Sequence, residues 1–100
     1  MLQTITVLSD VPFLGSRGAA NSLRNRLLAA FSDGASGAVL DFAGVSGVSH
    51  GFADELLSPL SEQLGRKMSE QVTFVNCAGP VREMLEIVAA MHNLSLPRFM

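Results

Sequence analysis

The fold class is most evident in residues 38–51, which read Ala-Val-Leu-Asp-Phe-Ala-Gly-Val-Ser-Gly-Val-Ser-His-Gly. Residues 38–42 are mostly apolar and follow a glycine, which predicts a short buried central strand. A loop of glycine, serine and valine then runs from Gly44 to Gly51. In open sheets of parallel strands, ligands and partners bind beyond the carboxyl ends of the strands. The sequence therefore places its candidate site in this loop.

Three stretches show the spacing between apolar residues that is typical of amphipathic helices. The first begins at Arg17 and ends at Asp33-Gly34, the second follows Gly51, and the third begins at Gly79-Pro80. Their predicted apolar positions are Ala20, Leu23, Leu27 and Phe31; Phe52, Leu56, Leu60 and Leu64; and Val81, Met84, Leu85, Val88 and Met91. Pro59 lies inside the second pattern and is expected to kink or split that helix near residues 57–58, because proline lacks a backbone N–H.

Two further stretches have the composition of strands. Residues 4–8 alternate polar and apolar side chains, and residues 72–75 are β-branched or aromatic. A loop is expected between residues 9 and 16. Strands and helices then follow one another in β-α-β-α-β-α order, which predicts an α/β fold with a small, mainly parallel sheet covered by helices. The length of 100 residues predicts a single domain over residues 1–100.

Composition excludes several classes of protein. With 48% hydrophobic and 16% charged residues, the chain is too apolar for a disordered segment. Seven basic residues, nine acidic residues and no basic cluster argue against partners such as nucleic acid or an anionic membrane surface. No apolar run approaches the roughly 18 residues of a membrane span, and no signal peptide is recognisable at the N-terminus. We therefore expect a cytoplasmic protein.

Few residues suggest catalysis or metal binding. Cys77 is the only cysteine, so no internal disulfide forms, and two histidines with one cysteine, far apart, do not predict a metal site. A nucleotide cofactor is not expected, since neither G-x-x-x-x-G-K-[ST] nor G-x-G-x-x-G occurs. Ser49, His50 and Asp54 hold the side chains of a hydrolase, but neighbouring residues seldom orient a base toward a hydroxyl. We expect a protein that is not an enzyme.

Two structural interpretations of the loop remain open. Free N–H groups and the helix dipole at the start of the second helix favour an anion. Asp54 and Glu55, placed in the first turn of that predicted helix, would repel it. A glycine-rich turn followed by an ordinary acidic helix start explains the same residues without any ligand.

The segment from Val39 to Gly51 resembles the signature of STAS domains, which include the anti-sigma-factor antagonists. In that family an aspartate ends the central strand, and a short loop leads to an Asp-Ser-Ser-Gly that opens a helix. Residues 51–57, Gly-Phe-Ala-Asp-Glu-Leu-Leu, are more similar to a STAS-like branch of unassigned function. The resemblance covers residues 15–92, and it implies that the family's second N-terminal strand and final strand are missing here.

The resemblance also implies a function. Anti-sigma-factor antagonists are not enzymes; they bind an ATPase-type, histidine-kinase-like anti-sigma factor, which phosphorylates a serine at the start of this helix. Aligned without gaps from Asp41, the acceptor position falls on His50, and Ser49 one place earlier is the candidate acceptor. The partner-binding residues are then Ser46, Ser49, His50, Gly51, Asp54 and Glu55. A smaller sheet leaves more apolar surface exposed, so a homodimer is also expected.

Three hypotheses follow. The leading one is a regulatory module that binds a protein partner through residues 46–51 and the helix after them. The alternative is a small-ligand or anion sensor that binds at the N-terminus of the helix starting near Gly51. The third is a structural subunit of a larger assembly, in which residues 46–51 merely connect a strand and a helix.

Overall fold

The computed structural model of the chain describes residues 2–7 and 12–100. The strands are β1 (Leu2–Thr6), β2 (Phe13–Leu14), β3 (Gly37–Asp41), β4 (Gly47–Val48), β5 (Val72–Val75) and β6 (Arg98–Phe99). The helices are α1 (Arg17–Ser32), α2 (His50–Leu64), α3 (Lys67–Gln71) and α4 (Gly79–His92).

A four-stranded sheet runs in the order β1-β3-β5-β6, and every neighbouring pair is parallel. Because the strand order follows the chain order and such crossovers are right-handed, α1, α2 and α4 lie on one face of the sheet. α1 packs against α2, and α2 packs against α4. The predicted α/β class and mainly parallel sheet are confirmed. In addition, β2 and β4 form a separate parallel pair beyond the main sheet.

The core lies between the sheet and the helices. Ile5, Leu40 and Phe74 are side by side in register, point to the same face and are buried. The ring of Phe74 lies 5.2 Å from that of Phe42 and 5.9 Å from that of Phe99. Each fully buried aromatic or aliphatic side chain contributes about 1.5–3 kcal/mol. This packing fixes the carboxyl end of β3, where the candidate loop begins.

The predicted helix faces are largely confirmed. The predicted positions that are buried are Ala20, Leu23, Leu27, Phe52, Leu56, Leu60, Val81, Leu85 and Val88. Met91 was expected in the core and is 62% exposed, because Ala89 occupies the core-facing position of that turn instead. Among the described residues, no helix combines the length and hydropathy that a bilayer crossing needs.

Several short elements were not predicted. The expectation that a second N-terminal strand and a final strand are missing is wrong, since β2 and β6 are both present. Each has two residues, which is too short for an alternation pattern to be recognised. β2 lies in the expected loop 9–16 and β4 in the expected loop 44–51. The predicted strand 4–8 is observed as β1, and its last residue, like residues 9–11 of the loop, lies outside the described residues.

Pro59 does not split the second helix. α2 is one helix from His50 to Leu64, with Pro59 inside it. The missing N–H removes the hydrogen bond that would reach the carbonyl of Glu55, four residues earlier. Tertiary packing compensates, because Leu56, Leu57 and Leu60 around the proline are fully buried.

Candidate functional site

The candidate site begins where β3 ends. The Asp41 carboxylate accepts hydrogen bonds from the Ala43 N–H and from the Asn76 side-chain amide, both at 2.9 Å. These two hydrogen bonds, with Asn76 the larger influence, lower the pKa of Asp41 from its ordinary value. The Phe42 N–H donates to the Val75 carbonyl at 3.0 Å. The ends of β3 and β5 are therefore joined just before the chain turns into the loop.

The loop is held in place by residues 12–15. The Ser46 N–H donates to the Pro12 carbonyl at 2.8 Å, and the Ser49 N–H donates to the Leu14 carbonyl at 2.9 Å. The Ser46 hydroxyl also donates to Pro12, at 3.3 Å. We call residues 46–51 the corner. Within the corner, Gly47 and Val48 pair with Phe13 and Leu14 as a short β-ladder, and His50 and Gly51 already belong to α2.

Two glycines have geometric reasons to be where they are. Gly44 has a φ of 85°, a backbone conformation that is energetically unfavourable for residues other than glycine. Gly47 lies under the ring of Phe13, and a Cβ at this position would be 3.1 Å from the ring carbon Cδ2. The glycine-rich composition noted in the sequence thus reflects a turn and a close packing contact.

Ser49 caps α2 and ties it to the segment before α1. Its hydroxyl oxygen accepts from the Phe52 N–H at 3.0 Å, and its O–H donates to the Gly15 carbonyl at 3.0 Å. Ser49 has the extended backbone of an N-cap residue and is half-buried. Its hydroxyl is therefore engaged in both directions, and neither bond involves His50 or Asp54.

The corner presents two exposed side chains, Ser46 and His50. Gly47 and Val48 between them are buried, and Gly51 is half-buried under the Arg17 side chain. Fewer residues are therefore exposed at the corner than the predicted binding loop contains.

Two acidic residues of α2 form ion pairs with α1. Arg17 Nη1 lies 3.3 Å from Asp54 Oδ2 and 3.7 Å from Glu55 Oε1, and Arg24 Nη1 lies 2.9 Å from Glu55 Oε2. The Arg24 side chain is only 16% exposed, so its ion pair is less screened by solvent than that of Arg17. These contacts connect the outer surfaces of α1 and α2.

Asp54 is also bound by residues nearer the C-terminus. The Ser58 hydroxyl donates to Asp54 Oδ1 at 2.9 Å, and His92 Nε2 lies 3.9 Å from the same oxygen. The pKa of Asp54 is lowered, chiefly by the Ser58 hydrogen bond and with a contribution from Arg17. The His92 ring lies edge-on to that of His50, with 6.3 Å between centroids. This chain of contacts links Asp54 to the exposed corner.

The structure corrects the predicted start of α2. The helix begins at His50 rather than after Gly51, so Asp54 and Glu55 belong to its second turn and not to its first. Ser49 caps the helix start in their place, and the arginines of α1 neutralise the two carboxylates.

Four residues of these contacts were not among the predicted site residues, namely Arg17, Arg24, Ser58 and His92. Arg17 and Arg24 are not among the buried residues of α1. Their seven-residue spacing puts them on one side of α1, and this side faces the adjacent acidic residues Asp54 and Glu55 of α2. That complementarity was visible in the sequence, but only the order of the helices shows that the two faces meet.

Cys77 follows β5 and is half-buried. Burial raises the pKa of its thiol to about 11, against a smaller opposing effect of Arg82. A thiol that stays protonated at neutral pH is a poor nucleophile, so the surroundings of Cys77 do not favour nucleophilic chemistry.

A comparison with known protein families matches residues 19–82, more than half of the chain, to a family described as a STAS-like domain of unknown function. The chain belongs to the STAS-like family. The match includes the corner, the Arg24–Glu55 ion pair between α1 and α2, and the start of α4. No curated protein and no solved structure matches the STAS-like chain. The family assignment confirms the resemblance seen in the sequence, and it supports a possible regulatory module.

Proposed function

We propose that this STAS-like domain is a non-enzymatic regulatory module that binds an ATPase-type, histidine-kinase-like protein through the corner and α2. The observation that carries the proposal is the exposure of Ser46 and His50 on a backbone held by hydrogen bonds to residues 12–15. A surface that is already ordered loses little conformational entropy on binding. Its place beyond the carboxyl ends of parallel strands agrees with the general location of partner sites in such sheets.

The six predicted partner-binding residues differ in accessibility. Ser46 and His50 are exposed and form the centre of the proposed interface, beside the half-buried Gly51. Asp54 and Glu55 are half-buried and already paired with arginines, so a partner would contact the outer side of those ion pairs. We propose that the two acids contribute mainly by keeping α1 and α2 in register.

Ser49 remains the candidate phosphate acceptor in this proposal. Its hydroxyl donates to the Gly15 carbonyl, and that hydrogen bond is lost when phosphate replaces the hydroxyl proton, so a kinase has to free the Ser49 hydroxyl from Gly15. The phosphate would add about −1.5 to −2 charges next to the acidic pair of α2. The added charge and the loss of the Gly15 hydrogen bond alter the surface of the corner, and we propose that this change releases the partner.

A photo-crosslinking experiment tests the proposal. A photoreactive phenylalanine analogue is placed at His50, and in a matched control at Ala90, which is exposed on α4. In the native cell we expect the first variant to crosslink to a protein with an ATP-binding kinase domain, and the control not to do so. Adducts shared by both variants, or a partner without such a domain, would contradict the proposal.

Incubation of the captured partner with the chain and ATP then tests the switch. We expect the intact mass to increase by one phosphate and peptide mapping to assign it to Ser49, with no increase in Ser49→Ala. Phosphate on His50, or no transfer at all, would remove Ser49 from the proposal while leaving the binding surface in place. Homodimer formation also stays a prediction, and sedimentation of the purified chain measures it.

The anion-sensor alternative has less support. Ser49 already satisfies the Phe52 N–H, and Arg17, the nearest cation to Gly51, is paired with Asp54 and Glu55. An anion at the start of α2 would compete with both arrangements.

A further inference from the structure

A partly open cavity of about 200 Å³ lies between α1, β2 and the first turn of α2. Its walls are mainly apolar and include the buried residues Val7, Leu23 and Phe52. The exposed residues Ser22 and Arg26 line its solvent side. This cavity is separate from the exposed side chains of the corner.

Arg26 is chemically distinctive in this setting. Within residues 2–7 and 12–100, it has no carboxylate at ion-pair distance, whereas Arg17 and Arg24 are both paired. An apolar cavity with one cation and one hydroxyl at its rim is complementary to an organic molecule with an apolar body and a terminal carboxylate.

The volume limits the size of the apolar body. A dry protein cavity of about 150 Å³ binds benzene. The cavity beside Arg26 therefore accommodates one aromatic ring or an acyl chain of similar volume, with the carboxylate left at the rim.

We propose that this cavity binds a small organic monocarboxylate, with its apolar part against Leu23 and Phe52 and its carboxylate at Arg26. The proposal does not depend on the partner proposed above. Ligand binding would also affect the corner, because two cavity-lining residues bind Ser49. The Phe52 N–H donates to the Ser49 hydroxyl, and the Leu14 carbonyl accepts from the Ser49 N–H. An occupied cavity would stabilise the two elements that hold Ser49.

Phenylpropanoate is a suitable probe, because it carries one ring and one carboxylate. With about 11 heavy atoms it should bind with a Kd of about 4 mM. Titration followed by amide NMR should give saturable shifts at Val7, Leu23 and Phe52, and the melting temperature should rise with ligand concentration.

Three variants and a neutral analogue separate the parts of the proposal. Arg26→Gln should weaken phenylpropanoate about fivefold and leave phenylpropanamide unchanged, whereas the control Arg66→Gln, at another exposed arginine, should change neither. Ala19→Leu fills the cavity from its wall and should abolish binding of both compounds. Acetate, which lacks the apolar body, should give no saturable shift at these residues.

Two results would overturn the proposal. One is the absence of saturable shifts at the cavity residues in a chain whose spectrum is that of a folded protein. The other is an equal effect of Arg26→Gln and Arg66→Gln on phenylpropanoate, which would indicate general charge attraction.

Discussion

Replacing Ser49 with alanine tests whether one hydroxyl holds the corner in two ways. The side chain caps α2 through the Phe52 N–H and is tied to the Gly15 carbonyl, each at 3.0 Å. Loss of an N-cap costs about 1 kcal/mol, and loss of the second hydrogen bond costs about another 1 kcal/mol. We therefore expect Ser49→Ala to lower the free energy of unfolding by about 2 kcal/mol.

Ser16 provides a matched control. It caps α1 through a 2.9 Å hydrogen bond from the Ala19 N–H, and it is exposed. Ser16→Ala should cost only the cap, about 1 kcal/mol. Ser49→Asp retains a cap acceptor but cannot donate to Gly15, so its loss should lie between zero and that of Ser49→Ala.

Urea unfolding gives these free energies, provided that the dependence on urea is the same for all variants. In thermal unfolding, the 2 kcal/mol loss corresponds to a decrease in melting temperature of about 8–16 °C for a domain of this size. If the losses in Ser49→Ala and Ser16→Ala agree within about 0.3 kcal/mol, the hydrogen bond to Gly15 does not stabilise the corner, contrary to this prediction.

The remaining predictions concern pH, packing and thiol reactivity. The pKa of Asp54 is lowered from 3.8 in the folded chain. The contribution of Asp54 to the free energy of unfolding is therefore complete above about pH 4 and is lost as the pH falls through the lowered pKa. Asp54→Asn should destabilise the fold at pH 7 by an amount that decreases in acid, as measured by urea unfolding at several pH values. Ser58→Ala should move the Asp54 pKa back toward 3.8 in carboxyl NMR titrations, and an unmoved pKa would contradict the assigned cause. Gly47→Ala should cost about 1 kcal/mol because its Cβ meets Phe13, and Phe13→Ala should remove most of that cost; equal costs in both backgrounds would exclude the contact as the cause. With its pKa at about 11, Cys77 should react with iodoacetamide at pH 8 roughly a hundredfold more slowly in the folded chain than in urea, and similar rates would show that the thiol is accessible.

The helices and strands in which apolar residues are regularly spaced or continuous were predictable from the sequence. The helix faces around Leu23, Leu56 and Leu85 and the buried strand before Asp41 follow from the spacing of apolar residues, and all are observed. The start of α2 was predicted too late in the sequence because Ser49 was not recognised as the N-cap. A Ser followed by a helical pattern is the expected signal, but the adjacent glycines indicated a longer turn.

The remaining features depend on contacts between distant segments. β2 and β4 are two residues each and exist because Phe13 pairs with Gly47 and Leu14 with Val48. The Arg17–Asp54 ion pair joins residues that are 37 positions apart. No local pattern predicts such pairings, since they follow from the way the helices pack on the sheet. The conformation of the corner thus depends on tertiary contacts, although the sequence predicted the location of the candidate site.

The most direct test of the proposed interface is the affinity of the captured ATPase-type partner for His50→Glu. A glutamate is compatible with the first turn of a helix, so the fold should persist, while the exposed surface of the corner is altered. Calorimetric titration should show at least a tenfold loss of affinity, the effect of about 1.4 kcal/mol at an interface centre. The same charge placed on α4 by Ala90→Glu should leave the affinity unchanged. Equal affinities for wild type and His50→Glu, or equal losses in both variants, would contradict a binding surface at the corner.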